Sequence, residues 1–223
     1  MTVTTGKIYD SKNSELPADA IYSISVDSKN ILWIGTSYKG LVKFDRKNFI
    51  VYNKSISILP VNKVTSVYVD KHDRIWAGTP EETVVIDNDK WMTAAELDRS
   101  NYDTGIYQIN GDRLGRILFA YKFGGFGIYD GKKYSSYTLE NSQIPIKGFY
   151  SVTADSNNII WLGSFEQGVV KFNGKDWDWL NKSNSELKDD LVFYVFTDAN
   201  NNKWFCTYFA VLFVYNEDGI KLK

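Results

Sequence analysis

The sequence predicts an all-β fold, a β-propeller of five four-stranded antiparallel blades of about 43 residues each, closed with help from an N-terminal strand. Three observations lead there. An apolar anchor recurs as Trp33, Trp76, Leu118, Trp161 and Trp204, at spacings of 43, 42, 43 and 43 residues. An aspartate stands six residues before every anchor: Asp27, Asp70, Asp112, Asp155 and Asp198. Between turn signals, each unit carries four short strand-like runs. Four strands repeated at 40 to 45 residues are the mark of propeller blades, because one such sheet cannot bury both its faces until neighbours cover them.

The elements follow in order. In the first unit the runs are Ile21–Val26, Ile31–Thr36, Leu41–Phe44 and Phe49–Tyr52. The first run repeats two apolar positions, Ile21, Val64, Ile106, Phe149 and Val192, then Ile24, Val67, Ile109, Val152 and Val195. Three residues after each aspartate comes Asn30, Asp73, Gly115, Asn158 or Asn201, residue types that tolerate a left-handed backbone. An aspartate able to accept from turn amides, followed by such a residue, describes a tight hairpin turn. A second turn is marked twelve residues past the anchor by Asp45, Asn88, Asp130, Asn173 and Asn216. The predicted domain is a single propeller over residues 1–223. Its repeats run at about 11–53, 54–96, 97–138, 139–181 and 182–223, and residues 3–9 form a surplus outer strand for closure. Ile220–Lys223 fills the fourth-strand slot of the last unit. Trp33, Trp76, Trp161 and Trp204 are expected to pack blade against blade, and the five aspartates to hold structural turns.

The stretch Asn13-Ser14-Glu15-Leu16-Pro17, followed by Asp27, Asn30, Trp33-Ile34-Gly35-Thr36 and Gly40-Leu41-Val42-Lys43-Phe44-Asp45, resembles the two-component regulator propeller repeat. The fourth unit matches nearly as well, from Asn141-Ser142-Gln143-Ile144-Pro145 through Trp161-Leu162-Gly163-Ser164. The third departs, with Leu118-Phe119-Ala120-Tyr121; the second has Thr83 in place of the loop glycine, and the fifth has Cys206 and Val211 at glycine positions. The resemblance implies a ligand-binding sensor domain of a bacterial two-component system, periplasmic or extracellular, with polysaccharide use a common theme.

The residues also bear on chemistry. In a propeller the first strand lines the channel, which puts Ser23, Ser66, Gln108, Ser151 and Tyr194 at matched lining positions. No carboxylate repeats there, whereas glycoside cleavage uses two carboxyl groups across the scissile bond. The second-to-third loops carry Tyr38, Lys39, Glu81, Glu82, Lys122, Phe123, Phe165, Glu166, Tyr208 and Phe209. Around one channel mouth they would interleave aromatic faces with charges, a surface for an oligosaccharide or small polar ligand, or channel-plugging turns. His72, the only histidine, reads as an exposed turn residue, and Cys206 as a buried small apolar one. No catalytic residue, metal site or cofactor is expected.

Net charge is −1, with 26 basic and 27 acidic residues. That leaves no electrostatic footprint for nucleic acid, and no apolar run approaches the roughly 20 residues that span a bilayer. The N-terminal residues lack the basic and apolar regions of an export signal, so the chain is expected to be cytoplasmic or to have lost such a signal. The function expected is a non-catalytic ligand-binding or sensor propeller, with a protein-interaction scaffold as the alternative and a hydrolase or lyase behind both. Whether the chain is a monomer or a homodimer is left open.

Overall fold

The structure is a computed structural model that describes residues 6–98, 105–209 and 212–220. Among them are 19 strands in antiparallel sheets. The first sheet is β1 Ile21–Val26, β2 Leu32–Thr36, β3 Leu41–Phe44 and β4 Phe49–Tyr52. The second is β5 Ser66–Val69, β6 Ile75–Gly78, β7 Thr83–Asp87 and β8 Lys90–Thr93, followed by the short helix α1 Ala95–Asp98. The third comprises β9 Ile106–Gly111, β10 Ile117–Tyr121, β11 Phe126–Tyr129 and β12 Tyr134–Tyr137. The fourth comprises β13 Phe149–Ala154, β14 Ile160–Ser164, β15 Val169–Phe172 and β16 Trp177–Leu180. The last has β17 Val192–Thr197, β18 Lys203–Thr207 and β19 Leu212–Tyr215. Within each sheet the strands pair in sequence order. Residues 221–223, expected in a fourth strand of the last sheet, and residues 3–5 of the surplus strand lie outside the described residues.

The turn chemistry is local and repeats. Asp27 accepts from the amides of Lys29 (3.0 Å) and Ile31 (2.9 Å) through Oδ1, and from Trp33 Nε1 (3.1 Å) through Oδ2. Asp70, Asp155 and Asp198 take the indole N–H of Trp76, Trp161 and Trp204 at 2.9, 3.1 and 2.9 Å in the same way. One carboxylate thus fixes a turn and satisfies an indole donor that packing removes from water. In the third sheet, which has Leu118, Asp112 turns instead to Arg116 Nε at 2.5 Å. The residue three past each aspartate has positive φ throughout: Asn30 63°, Asp73 62°, Gly115 78°, Asn158 60° and Asn201 64°.

Each sheet then covers the next. Trp33 and Leu41 of the first sheet are buried with Val67, Ile75, Ala77 and Ile86 of the second. Trp76 and Val85 meet Ile109, Ile117 and Phe119; Leu118 and Phe126 meet Val152, Ile160 and Leu162; Trp161 and Val169 meet Val195 and Phe205. Inner strands approach closely because the second strand carries glycine at the crossing point. A Cβ on Gly35 would stand 2.8 Å from Val64 O, one on Gly163 2.7 Å from Val192 O. The second unit is one residue tighter than expected: Gly78 pairs with Thr83 where Gly35 pairs with Leu41, so Thr83 opens strand β7 and is not a substitute for the loop glycine.

The two end faces are uncovered among the described residues. Ile24 is 56% exposed, while its counterparts Val67, Ile109, Val152 and Val195 are buried. Cys206 is exposed, contrary to expectation. It occupies the Gly35 position, whose burial comes from the following blade, and among the described residues no following blade covers the fifth sheet. The N-terminal segment sits against the first sheet, with the Tyr9 ring 5.1 Å from Phe44 and 5.9 Å from Phe49.

Candidate functional site

Two sets of loops share one face. The second-to-third turns are tied to the segments entering the next inner strand, through Gly40 N to Asn62 O (2.8 Å), Gly125 N to Lys147 O (2.7 Å) and Gly168 N to Asp190 O (2.8 Å). At this face a cavity of about 430 Å³ opens over the inner strands, lined by Tyr22, Ser23, Ile24, Lys63, Thr65, Ser66, Tyr107, Gln108, Tyr150 and Tyr194. Four of the five expected lining positions are there; Ser151 is buried instead.

Those polar side chains also hold the blades together. Ser23 Oγ accepts from Val67 N at 2.9 Å, Ser66 Oγ from Ile109 N at 2.9 Å, Gln108 Oε1 from Val152 N at 2.7 Å, and Ser151 Oγ from Val195 N at 3.0 Å. Their acceptor capacity is engaged in bridging adjacent inner strands, which is a structural use of the column.

The richer chemistry lies one residue earlier, at Tyr22, Thr65, Tyr107, Tyr150 and Phe193. The sequence reading passed over this column. Its signal was present, since four of five equivalent positions are aromatic, but the neighbouring columns drew attention as core and channel. Tyr107 and Tyr150 lie 5.1 Å apart, Phe165 stands 5.8 Å and 4.0 Å from them, and Tyr150 reaches Phe193 at 4.6 Å. Phe193 then meets Tyr208 at 5.3 Å and Tyr208 meets Phe209 at 5.1 Å. The result is a continuous crescent of rings. Lys63 Nζ caps Tyr22 at 5.3 Å on the opposite side of the cavity. Burial raises the Tyr107 phenol above its usual range, and burial followed by the neighbouring Tyr107 and Tyr208 does the same for Tyr150. Both hydroxyls therefore stay protonated and able to donate near neutral pH.

The loop residues divide. Phe165, Tyr208 and Phe209 join the crescent, while Lys122, Phe123, Phe165 and Glu166 flank a shallow groove of about 480 Å³ with Leu139, Pro145 and Lys147. Tyr38 is exposed with Lys39 Nζ 5.5 Å above its ring, and it stands apart from the crescent, as do Glu81 and Glu82. Burial, then Glu96, raises the Glu82 carboxyl. None of these ten loop residues lines the 430 Å³ cavity. His72 is an exposed turn residue whose amide donates to Asp70.

Residues 15–38 and 58–81, the stretches that run from the pre-blade loop through β2 and through β6, match the two component regulator propeller family. These are two-component regulator propeller repeats. A search of curated protein sequences gave no significant match. Among solved structures, a chain built of similar blades is the extracellular domain of a hybrid two component system from B. thetaiotaomicron, at 19% identity and a TM-score of 0.73. The alignment covers 89% of this chain and 29% of that one, so this chain spans under a third of its length. The virginiamycin B lyase of Staphylococcus aureus is similar at 18% identity and TM-score 0.66, over 88% of this chain and 69% of the lyase. An ancestral GH74 enzyme is similar at 16% identity and TM-score 0.67, over 91% of this chain and 30% of the enzyme. Likenesses at these identities speak for a shared propeller fold.

Proposed function

We propose that this chain is a non-catalytic sensor propeller that binds a carbohydrate or another small polar ligand at the channel mouth. The observation that carries this reading is the crescent Tyr107–Tyr150–Phe193–Tyr208 beside a cavity furnished with Lys63, Thr65 and Gln108. Sugar rings present apolar C–H faces and hydroxyl edges together. Aromatic planes take the first and hydroxyl, amide and ammonium groups the second. The extracellular two-component domain among the similar structures supports a place outside the cytoplasm, and no helix among the described residues is long and apolar enough to cross a membrane.

Binding is favoured over chemistry because the groups at the cavity are aromatic, hydroxyl, amide and ammonium, and no carboxylate is among its lining residues. A glycosidase would need a pair of them. A docking role for a protein is the second reading. It draws on Phe123 and Phe209, which stand 71% and 73% exposed on the same face.

The test is calorimetry or thermal shift against a panel of oligosaccharides. A ligand that raises the melting temperature of the wild type should lose at least tenfold in affinity with Tyr150→Ala, and comparably with Phe193→Ala. Binding that survives both substitutions would place the ligand elsewhere. A panel that shifts nothing, with a protein captured through Phe123 and Phe209, would favour the docking role.

A further inference from the structure

The polar groups around the 430 Å³ cavity are unequally engaged. Ser23 accepts from Val67 N and donates to Val67 O, at 2.9 and 3.3 Å, and Ser66 does the same with Ile109 N and Ile109 O, at 2.9 and 3.5 Å. Thr65 Oγ1 gives its proton to the Ile106 carbonyl at 2.6 Å. These hydroxyls are therefore largely committed to the backbone of adjacent inner strands.

Gln108 stands differently. Its amide accepts from Val152 N at 2.7 Å, a role that only the oxygen of the group can take, so the orientation is fixed and Nε2 is the end left over. No group among the described residues accepts from that nitrogen. Lys63, in the segment leading into β5, lies with Nζ 5.3 Å above the Tyr22 ring and makes no salt bridge among the described residues. Apart from the tyrosine hydroxyls, which donate or accept, the two unpartnered groups of the cavity are thus pure donors, and one of them is a cation. No carboxylate among the lining residues answers it. The deciding groups come from the segment entering the second sheet and from the inner strands of the third and fourth, where Tyr107 and Tyr150 supply the aromatic wall.

We propose that the saccharide held at this cavity is acidic. A carboxylate on the sugar supplies the counter-charge that Lys63 lacks, acceptor oxygens of the sugar take the Gln108 Nε2 protons, and the apolar ring face lies on Tyr107 and Tyr150. The inference rests on the saccharide-binding reading above and narrows it to one class. A single lining cation suits one carboxylate, whereas a densely sulfated chain would bring several negative groups to a site with one positive partner.

Isothermal titration of the whole chain with short oligogalacturonides, their methyl esters and neutral oligogalactosides of equal length tests this. The free acid should bind the wild type about tenfold more tightly than its ester, the strength expected of a charged hydrogen bond, and the gap should narrow as salt is added. Lys63→Gln should abolish the preference for the acid and leave ester binding as it was, and Lys63→Arg should retain the preference. Gln108→Glu keeps an oxygen for Val152 N but turns the free end into an anion, so it should reject the acid more strongly than the ester. Lys63 is exposed, and circular dichroism should be unchanged in its variants. Lys175→Gln removes the same charge in the β15–β16 turn, at the opposite end of the strands, and should bind as the wild type does. An ester bound as tightly as the acid, or an acid preference that survives Lys63→Gln, would overturn the inference and leave the saccharide reading standing. Silence of acid, ester and neutral sugar alike would sink that reading and this inference with it.

Discussion

At the scale of residues, the recurring aspartates do two jobs with one carboxylate, and both need the ionised form. The hydroxyl of Ser28 and then its amide hold the Asp73 carboxyl below its ordinary 3.8, and turn amides do so for Asp45 and Asp130. At Asp198 burial works to raise the value, but Trp204, Asn202 and Asn200 donate to the carboxylate and bring it down. A carboxylate whose folded value is depressed adds stability above its unfolded value and loses it as pH falls through the folded one. The melting temperature should accordingly be flat well above the ordinary carboxylate value of 3.8 and decline as pH falls below it, which a thermal scan across pH will check. This much was legible beforehand, since a hairpin turn is short-range and Asp–x–x–Asn states its own geometry. The crescent was less legible. Tyr107, Tyr150 and Phe193 each fall at a register shift, between Ile106 and Gln108, Phe149 and Ser151, and Val192 and Tyr194, and at such a bulge the simple alternation of faces along a strand no longer places the side chain. Cys206 was misjudged for another reason: exposure at its position depends on whether a further blade covers it, and nothing local to Trp204-Phe205-Cys206 encodes that.

At the scale of elements, the strands fell where alternation and turn residues put them, with β1, β3 and β4 at the expected bounds and β2 starting at Leu32 in place of Ile31. The register inside the second unit did not, because its tighter β6–β7 turn is invisible when units are aligned by counting from the tryptophan. The glycines of the second strands carry a sharper consequence. A side chain at Gly163 would press on Val192 O and Val192 Cγ1, at 2.7 and 3.2 Å from the Cβ alone. Backbone yields little, so Gly163→Val should cost about 1–3 kcal/mol by overpacking, read as a lower midpoint in urea. Cys206→Val places a valine at the equivalent but exposed position of the fifth sheet and should cost under about 0.5 kcal/mol. Equal losses at the two sites would refute the idea that close blade approach is what the glycine secures.

At the scale of the molecule, each sheet packs on the next in sequence order through four junctions among the described residues, so stability is a sum of blade terms and junction terms. Three junctions are apolar at the base of the second strand, with Ile75, Ile117 and Ile160 buried there. The fourth replaces this residue by Lys203, fully buried between Asp155 (3.4 Å) and Glu217 (2.6 Å), with its ammonium 5.1 Å from the Trp161 ring. Taking those charges from water offsets most of their attraction. The substitution thus writes an order of events into the chain: the array should fray by shedding its fifth sheet first, while the middle blades keep their protection. Amide exchange should find β17 and β18 opening at a lower free energy than β9, β10, β13 and β14. Acid should widen the gap, because protonating Glu217 strips Lys203 of its nearer counter-charge and leaves a buried cation half-answered.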